Sequence, residues 1–283
     1  METISSFWGL LTSPTIDFCE KNYAYSSYIA EFYNTISNIP TICLALIGLI
    51  NALRQRFEKR FSVLHLSNMS LAIGNILYHA TLQPAQQQSV EIPMVWEILL
   101  YMYILYSPDW HYGRTMPIFL FSYGAVFAVV HKVVHFDIAF KVHYVILCLL
   151  CVPRMYKYYI YTENVCVKWM AKLYVATLVL GILCWLCDRV FCKEISRWPT
   201  NPQGHALCHV FLGFTSYFAN TFLMFCRAQQ RVWSPKVVRL LGVFPSVKID
   251  KSKASDFKYV VNFFCGALNV KLSLVLLSQG NFP

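Results

Sequence analysis

Residues 204–226 read GHALCHVFLGFTSYFANTFLMFC. Twenty-three residues pass without one Asp, Glu, Lys or Arg, enough to cross the roughly 30 Å hydrocarbon core of a bilayer as a helix. The two histidines, His205 and His209, stand four apart at its start, on one helix face. A polar pair in an apolar helix is costly and is a functional candidate by default.

The rest of the chain repeats the apolar character. Of 283 residues 57% are hydrophobic and 13% charged, with mean hydropathy +0.46. A soluble chain carries about 25% charge, so a soluble domain is excluded, and disorder needs low hydrophobicity. Seven spans are expected: 33–53, 62–82, 93–106, 117–130, 142–160, 170–191 and 204–226. The fold class is therefore all-α, a polytopic membrane protein with a seven-transmembrane-helix bundle. No repeat of 20–50 residues is visible. The opening METISSFWGL has neither a basic n-region nor a clean h-region, so a cleaved signal peptide is not expected. Eleven cysteines lack zinc-ribbon spacing and mostly sit in apolar runs, where Cys acts as a small hydrophobe.

The +10 net charge is not gathered into a nucleic-acid-binding face. It orients the spans instead. Sixteen Lys and Arg fall on one side, in the first loop (Arg54, Arg56, Lys59, Arg60), at Arg114, around the fifth loop (Arg154, Lys157, Lys168, Lys172) and in the tail from Arg227 to Lys253. Six fall on the other: Lys21, Lys132, Lys141, Arg189, Lys193 and Arg197. The basic side is cytosolic by the positive-inside rule. The N-terminus is then lumenal and the C-terminus cytosolic. Four parts follow: a lumenal segment 1–32, a bundle 33–226, a basic tail 227–253 and an apolar extension 254–283. Residues 259–277 read equally as a weak eighth segment or as an appended tail.

This topology places His79, at the end of span two in GNILYHATL, on the lumenal side with His205 and His209. Three neutral histidines at one level make an open zinc site with a fourth position for water. Two other readings stand beside it. A span-end histidine is commonly interfacial, and His131 and His135 share the four-residue spacing at the end of span four. Lys132 and Asp137 beside that second pair suit a wetted interfacial loop.

Before span one, TIDFCEKNYAYSSYIAEFYN supplies Asp17, Glu20, Asn22 and Glu31. Such oxygen ligands suit Ca²⁺. The alternative is a solvated pre-membrane segment, and the spacing is not that of an EF-hand. Cys19 and Cys192 both fall on the lumenal side, which permits disulfides.

Taken together, FWGLLTSPTIDFCEKNYAYSSYIAEFYNTISNIP, LYHATL, PMVWE, CDRVFCK and GHALCHV resemble the alkaline ceramidase family, plant members above all, over roughly residues 7 to 253. The resemblance implies a hydrolase of endoplasmic reticulum or Golgi membrane that cleaves the amide of ceramide to sphingosine and a fatty acid. It implies zinc on His79, His205 and His209. It implies calcium on Asp17, the carbonyl of Phe18, Glu20, Asn22 and Glu31, and a lumenal Cys19–Cys192 disulfide. Two positions depart from the family pattern. Asn75 stands for a serine that helps hold the reacting carbonyl, and Val90 for an aspartate that accepts a proton. Asn75 keeps a donor, but Val90 cannot move a proton, and Glu91 points about 100° away on a helix. The resemblance therefore implies a whole scaffold with weakened chemistry. A ceramide- or sphingosine-binding protein without turnover is one rival. Another is a zinc-containing seven-helix lipid receptor of the progestin and adiponectin receptor type.

Overall fold

The computed structural model describes residues 18–108, 115–134, 137–240 and 242–252. The helices are α1 (Phe32–Ile36), α2 (Ile39–Arg54), α3 (Lys59–Thr81), α4 (Pro84–Tyr106), α5 (Thr115–Val133), α6 (Asp137–Tyr161), α7 (Val165–Val190), α8 (Cys192–Ile195) and α9 (Gly204–Gln230). A hairpin follows, β1 (Lys236–Leu240) antiparallel to β2 (Phe244–Lys248).

Among the described residues six helical stretches are long and apolar enough to cross a membrane: Phe32–Arg54, Gln86–Tyr106, Thr115–Val133, Ala139–Tyr161, Val165–Val190 and Gly204–Gln230. The expected second span, 62–82, falls on α3 and is not among these six. That helix is 23 residues long but less apolar, because it carries His65, Asn68 and His79 into the interior.

Local chemistry explains the boundaries. Pro40 lies in the first turn of α2, and Pro84 in the first turn of α4, where a missing N–H costs nothing. Asn164 caps α7 by accepting the N–H of Val167 at 3.2 Å. Leu82, at φ 53°, turns the chain left-handed to end α3. The expected start of span three at Pro93 is corrected: α4 begins nine residues earlier and Pro93 lies inside it. The polar run Gln86, Gln87, Gln88, Ser89 hid this extension from a hydropathy reading.

The packing inverts the soluble pattern. Val142, Val145, Ile146 and Leu149 on α6, and Val175, Val179, Leu180, Ile182 and Leu183 on α7, face outward. Asn34, His65, Asn68, His79, Glu97 and Asn220 are buried. In a bilayer, polar groups gather inside and satisfy one another. Helix α9 is the central element, with buried residues from Gly204 to Ala228. It packs along α7 and beside α2, while α3 lies between α2 and α4, and α4 meets α5 and α6.

The basic tail is not simply extended. Its hairpin packs against α9 and α2, with Val247 fully buried and Tyr217 donating from its hydroxyl to the Pro245 carbonyl at 2.9 Å. Nearby, Glu58 ties α3 to α9: it pairs with Arg60, with Arg227 at 2.8 Å and with Arg231 at 3.1 Å. Burial raises the Glu58 pKa, but the guanidiniums of Arg227, Arg60 and Arg231 outweigh that and hold it below the usual value. The expected extension 254–283 lies outside the described residues.

Candidate metal centre

Three helix ends and the irregular N-terminal segment 18–31 build the site. The last turn of α3 leaves carbonyls without intrahelical partners. Two are taken up by the segment before α1: Glu31 N–H donates to the His79 carbonyl and Ala30 N–H to the Ala80 carbonyl, each at 3.0 Å. This pairing carries the Glu31 side chain onto the His79 ring, where its Oε2 lies 2.6 Å from Nδ1. Glu31 is fully buried and also accepts Asn34 Nδ2 at 3.0 Å.

The first two turns of α9 supply the other two rings. His209 Nδ1 lies 3.2 Å from the Asn34 carbonyl, 2.9 Å from Ser37 Oγ and 3.1 Å from Asn38 Nδ2. The carbonyl accepts and the amide nitrogen donates, so these partners engage Nδ1 of His209 and hold the ring. A carboxylate only accepts, so Nδ1 of His79 carries the proton. In both rings Nδ1 is taken up by outer partners and Nε2 is not, the arrangement found at metal-ligating histidines. The three ring centroids lie 5.1 Å (79–205), 4.8 Å (79–209) and 4.5 Å (205–209) apart. One ligand atom from each falls within 4.8 Å of the others, and all three residues are buried. Nδ1 of His205 is buried without a hydrogen bond among the described residues. A soft-to-borderline divalent ion with nitrogen ligands fits this set.

The N-terminal segment covers one side. The Phe18 ring stacks on His205 at 3.9 Å and tilts against His79 at 5.2 Å. The Cys19–Cys192 disulfide, spanning 173 residues, ties this segment to α8. The expected bridge is therefore formed.

The expected calcium ligands are placed as follows. Asp17 lies outside the described residues. Glu20 is buried, and its oxygens accept the N–H groups of Tyr33 at 2.7 Å and Asn34 at 2.8 Å. Asn22 is exposed, and Glu31 serves His79. Burial pushes the Glu20 pKa up, and the nearby Glu31 carboxylate adds to the rise, against backbone donors that lower it. Oδ1 of Asn34 is buried without a hydrogen bond among the described residues. Two buried carboxylates and an orphaned amide oxygen, where the N-terminal segment meets α1, suit a hard cation.

Of the departing positions, Asn75 is half-buried one turn before His79. Val90 is half-buried on α4 and packs on a small cluster of Ala30, Tyr78 and Leu82, joined by Phe18 and Tyr23. Tyr78 and Phe18 also touch the histidine rings, so Val90 borders the site. Glu91 turns elsewhere: its Oε1 accepts Gln87 Nε2 at 2.8 Å and its Oε2 pairs with His131 Nε2 at 2.6 Å. His131 is buried, stacked on Phe127 at 5.2 Å, and not the wetted interfacial residue expected. Its paired carboxylate overcame the interfacial preference. His135 lies outside the described residues. The one group of three metal-ligating side chains among the described residues is His79, His205 and His209.

The family model for ceramidase matches residues 11–248 of this chain. The chain belongs to the ceramidase family. It is 75% identical over 250 residues to the alkaline ceramidase of Arabidopsis thaliana, covering 88% of this chain and 98% of the relative. It is 29% identical over 265 residues to alkaline ceramidase 3 of Mus musculus, covering 87% of this chain and 96% of that protein. With the alkaline ceramidase of Drosophila melanogaster the identity is 26% over 216 residues, covering 72% and 74%. As a member of this family the chain is a hydrolase built on apolar helices.

Sequence reasoning missed Asn34, Ser37, Asn38 and Asp188 at this ceramidase site. Asp188 had a usable signal, an acid within the apolar run of α7, since ionisable groups in spans are functional candidates. The three polar residues of α1 and its end carried no such signal. Their role appears only when the chain folds back on α9.

Proposed function

We propose that this ceramidase hydrolyses the amide bond of ceramide, giving sphingosine and a fatty acid, at zinc held by His79, His205 and His209. The observation that carries the reading is the convergence of three buried imidazoles, two with Nδ1 committed to outer partners and Nε2 left to bind. Zinc bound there would polarise the amide carbonyl and bring the pKa of water down to about 7.

The chain's own residues do the positioning. Glu31 fixes the His79 tautomer, and the Asn34 carbonyl, Ser37 and Asn38 hold the His209 ring at its Nδ1. Asn75, one turn from His79, offers an amide donor to the developing oxyanion. Val90 offers no proton acceptor, and Glu91 is occupied by Gln87 and His131, so turnover proceeds without a side-chain base at that position. The two hydrocarbon chains of ceramide stay among apolar helices while the amide meets the polar end of the bundle.

The wider reading places α3 with the six apolar stretches as a seven-helix bundle. The basic excess around Arg54–Arg60 and the tail supports a lumenal site, and the family resemblance supports endoplasmic reticulum or Golgi membrane. Calcium, held by Asp17, the Phe18 carbonyl, Glu20, Asn22 and Glu31, would stabilise the N-terminal segment beside the histidines. Glu31 then serves both ions, as ligand to one and orienting partner of the other.

The test is sphingosine release from ceramide by the purified full chain in detergent micelles, with zinc content measured in parallel. Sphingosine release should stop on chelation and in His209→Ala. Ceramide binding with full zinc occupancy and no sphingosine release would end the hydrolase reading.

A further inference from the structure

Two of the three histidines are oriented by a hydrogen bond to their own ring, and the third is not. Nδ1 of His205 has no hydrogen bond among the described residues. Its orientation comes from the backbone that carries it and from the Phe18 ring lying on it at 3.9 Å. Both supports lead to one carboxylate. Asp188, buried in the last turn of α7, accepts the His205 N–H through Oδ1 at 3.2 Å. It accepts the Cys19 N–H through Oδ2, also at 3.2 Å, and so holds the residue next to Phe18.

The surrounding geometry serves the same contact. The first N–H groups of α9 have no intrahelical acceptor, and a carboxylate there is favoured by the helix dipole. The Gln203 side chain provides no cap. Gly204 lets the carboxylate approach: a Cβ there would come within 2.9 Å of the Cys184 carbonyl oxygen and 3.1 Å of Asp188 Cβ. Cys19 is held at its other polar atoms too, its carbonyl accepting Asn201 Nδ2 at 2.7 Å and its sulfur bonded to Cys192. The disulfide and Asn201 fasten the N-terminal segment alone. Asp188 fastens that segment and the histidine to each other.

We propose that Asp188 is a positioning residue that sets the height and ring orientation of His205 at the metal centre. This rests on the reading of the three histidines as a metal site. Asp188→Asn is close to isosteric but keeps one acceptor and turns the other into a donor facing an N–H. Removing an outer partner of a metal ligand typically weakens metal binding about 10–100-fold.

The experiment measures zinc affinity of the full chain in micelles by competition with a chromophoric chelator, alongside the melting temperature at saturating zinc. Asp188→Asn should bind zinc about 10–100-fold more weakly while its zinc-saturated melt stays close to that of the parent. Cys192→Ser should do the reverse, lowering the melt while keeping zinc affinity within about threefold, since the Asp188 bond to His205 remains. Unchanged affinity in Asp188→Asn, with zinc lost in His205→Ala, overturns the proposal and leaves the metal site standing. Equal weakening in Cys192→Ser overturns it too, because tethering of the N-terminal segment would then account for the effect. Zinc retained in His205→Ala shows that the metal-site reading itself has failed.

Discussion

Replacing Val90 by Asp tests the chemistry most directly. The isopropyl group is half-buried against Ala30, Tyr78 and Leu82, a cluster whose neighbours Phe18 and Tyr78 touch the histidine rings. A carboxylate there stands beside the metal centre, where the wild-type chain has only hydrocarbon. Glu91 cannot already serve, since Gln87 and His131 occupy its two oxygens at 2.8 and 2.6 Å. A positioned general base contributes about 10²–10⁴ in rate, equivalent to roughly 2.7–5.4 kcal/mol at 1.36 kcal/mol per decade. Against this, the folded state loses about 1 kcal/mol of half-buried Val and takes on a partly desolvated charge costing about 1–3 kcal/mol. The expectation is a kcat for sphingosine release raised by about 10²–10⁴, together with a lower melting temperature. The assay uses saturating ceramide in mixed micelles, with zinc content measured in each sample. Two results refute the reasoning. One is wild-type turnover equal to that of the variant, which means another group takes the proton. The other is no gain despite full zinc and bound ceramide.

Glu31→Gln replaces the charged acceptor of His79 Nδ1 by a neutral one, and should weaken zinc about tenfold; metal competition titration checks this. In Gly204→Ala the added Cβ meets the unyielding Cys184 carbonyl, so a loss of about 1–3 kcal/mol is expected, with weaker zinc binding because His205 is the next residue. His131→Ala should leave zinc content intact and lower the melt, since Glu91 loses its partner inside the bundle; loss of zinc would transfer the site to the His131 region. The Glu20 pKa is raised chiefly by burial, so without calcium the folded state holds more protons than the unfolded one. Stability is then full below the ordinary Glu value and falls as pH rises through the raised folded value. Melts in chelator should show that fall, and calcium should flatten it by binding the ionised carboxylate; identical curves with and without calcium would leave no calcium site there.

What could be seen in the sequence was what hydropathy and spacing encode locally. Residues 204–226 announced a span, and the four-residue spacing of His205 and His209 announced one face. Counting membrane crossings then brought His79 to the same end, and the structure places the three rings together. That inference needed only the alternation of sides. The hairpin at 236–248 was invisible because Lys236, Arg239 and Lys248 made the stretch read as a basic tail, and its apolar residues gain a structural role only when Val247 finds its place against the bundle. Helix α4 was truncated in the sequence reading because its polar first turns face protein, where a hydropathy window assumes lipid. The orienting partners were hidden for a deeper reason. Glu31 looked like an oxygen ligand and is one hydrogen bond from His79, and the Asn34 carbonyl that fixes His209 belongs to the backbone, which no side-chain pattern reports. Side-chain chemistry therefore marks which residues bind a metal, while for His79 and His209 the ring nitrogen left to bind is decided by what takes up Nδ1, through contacts between residues as far apart as Asn34 and His209.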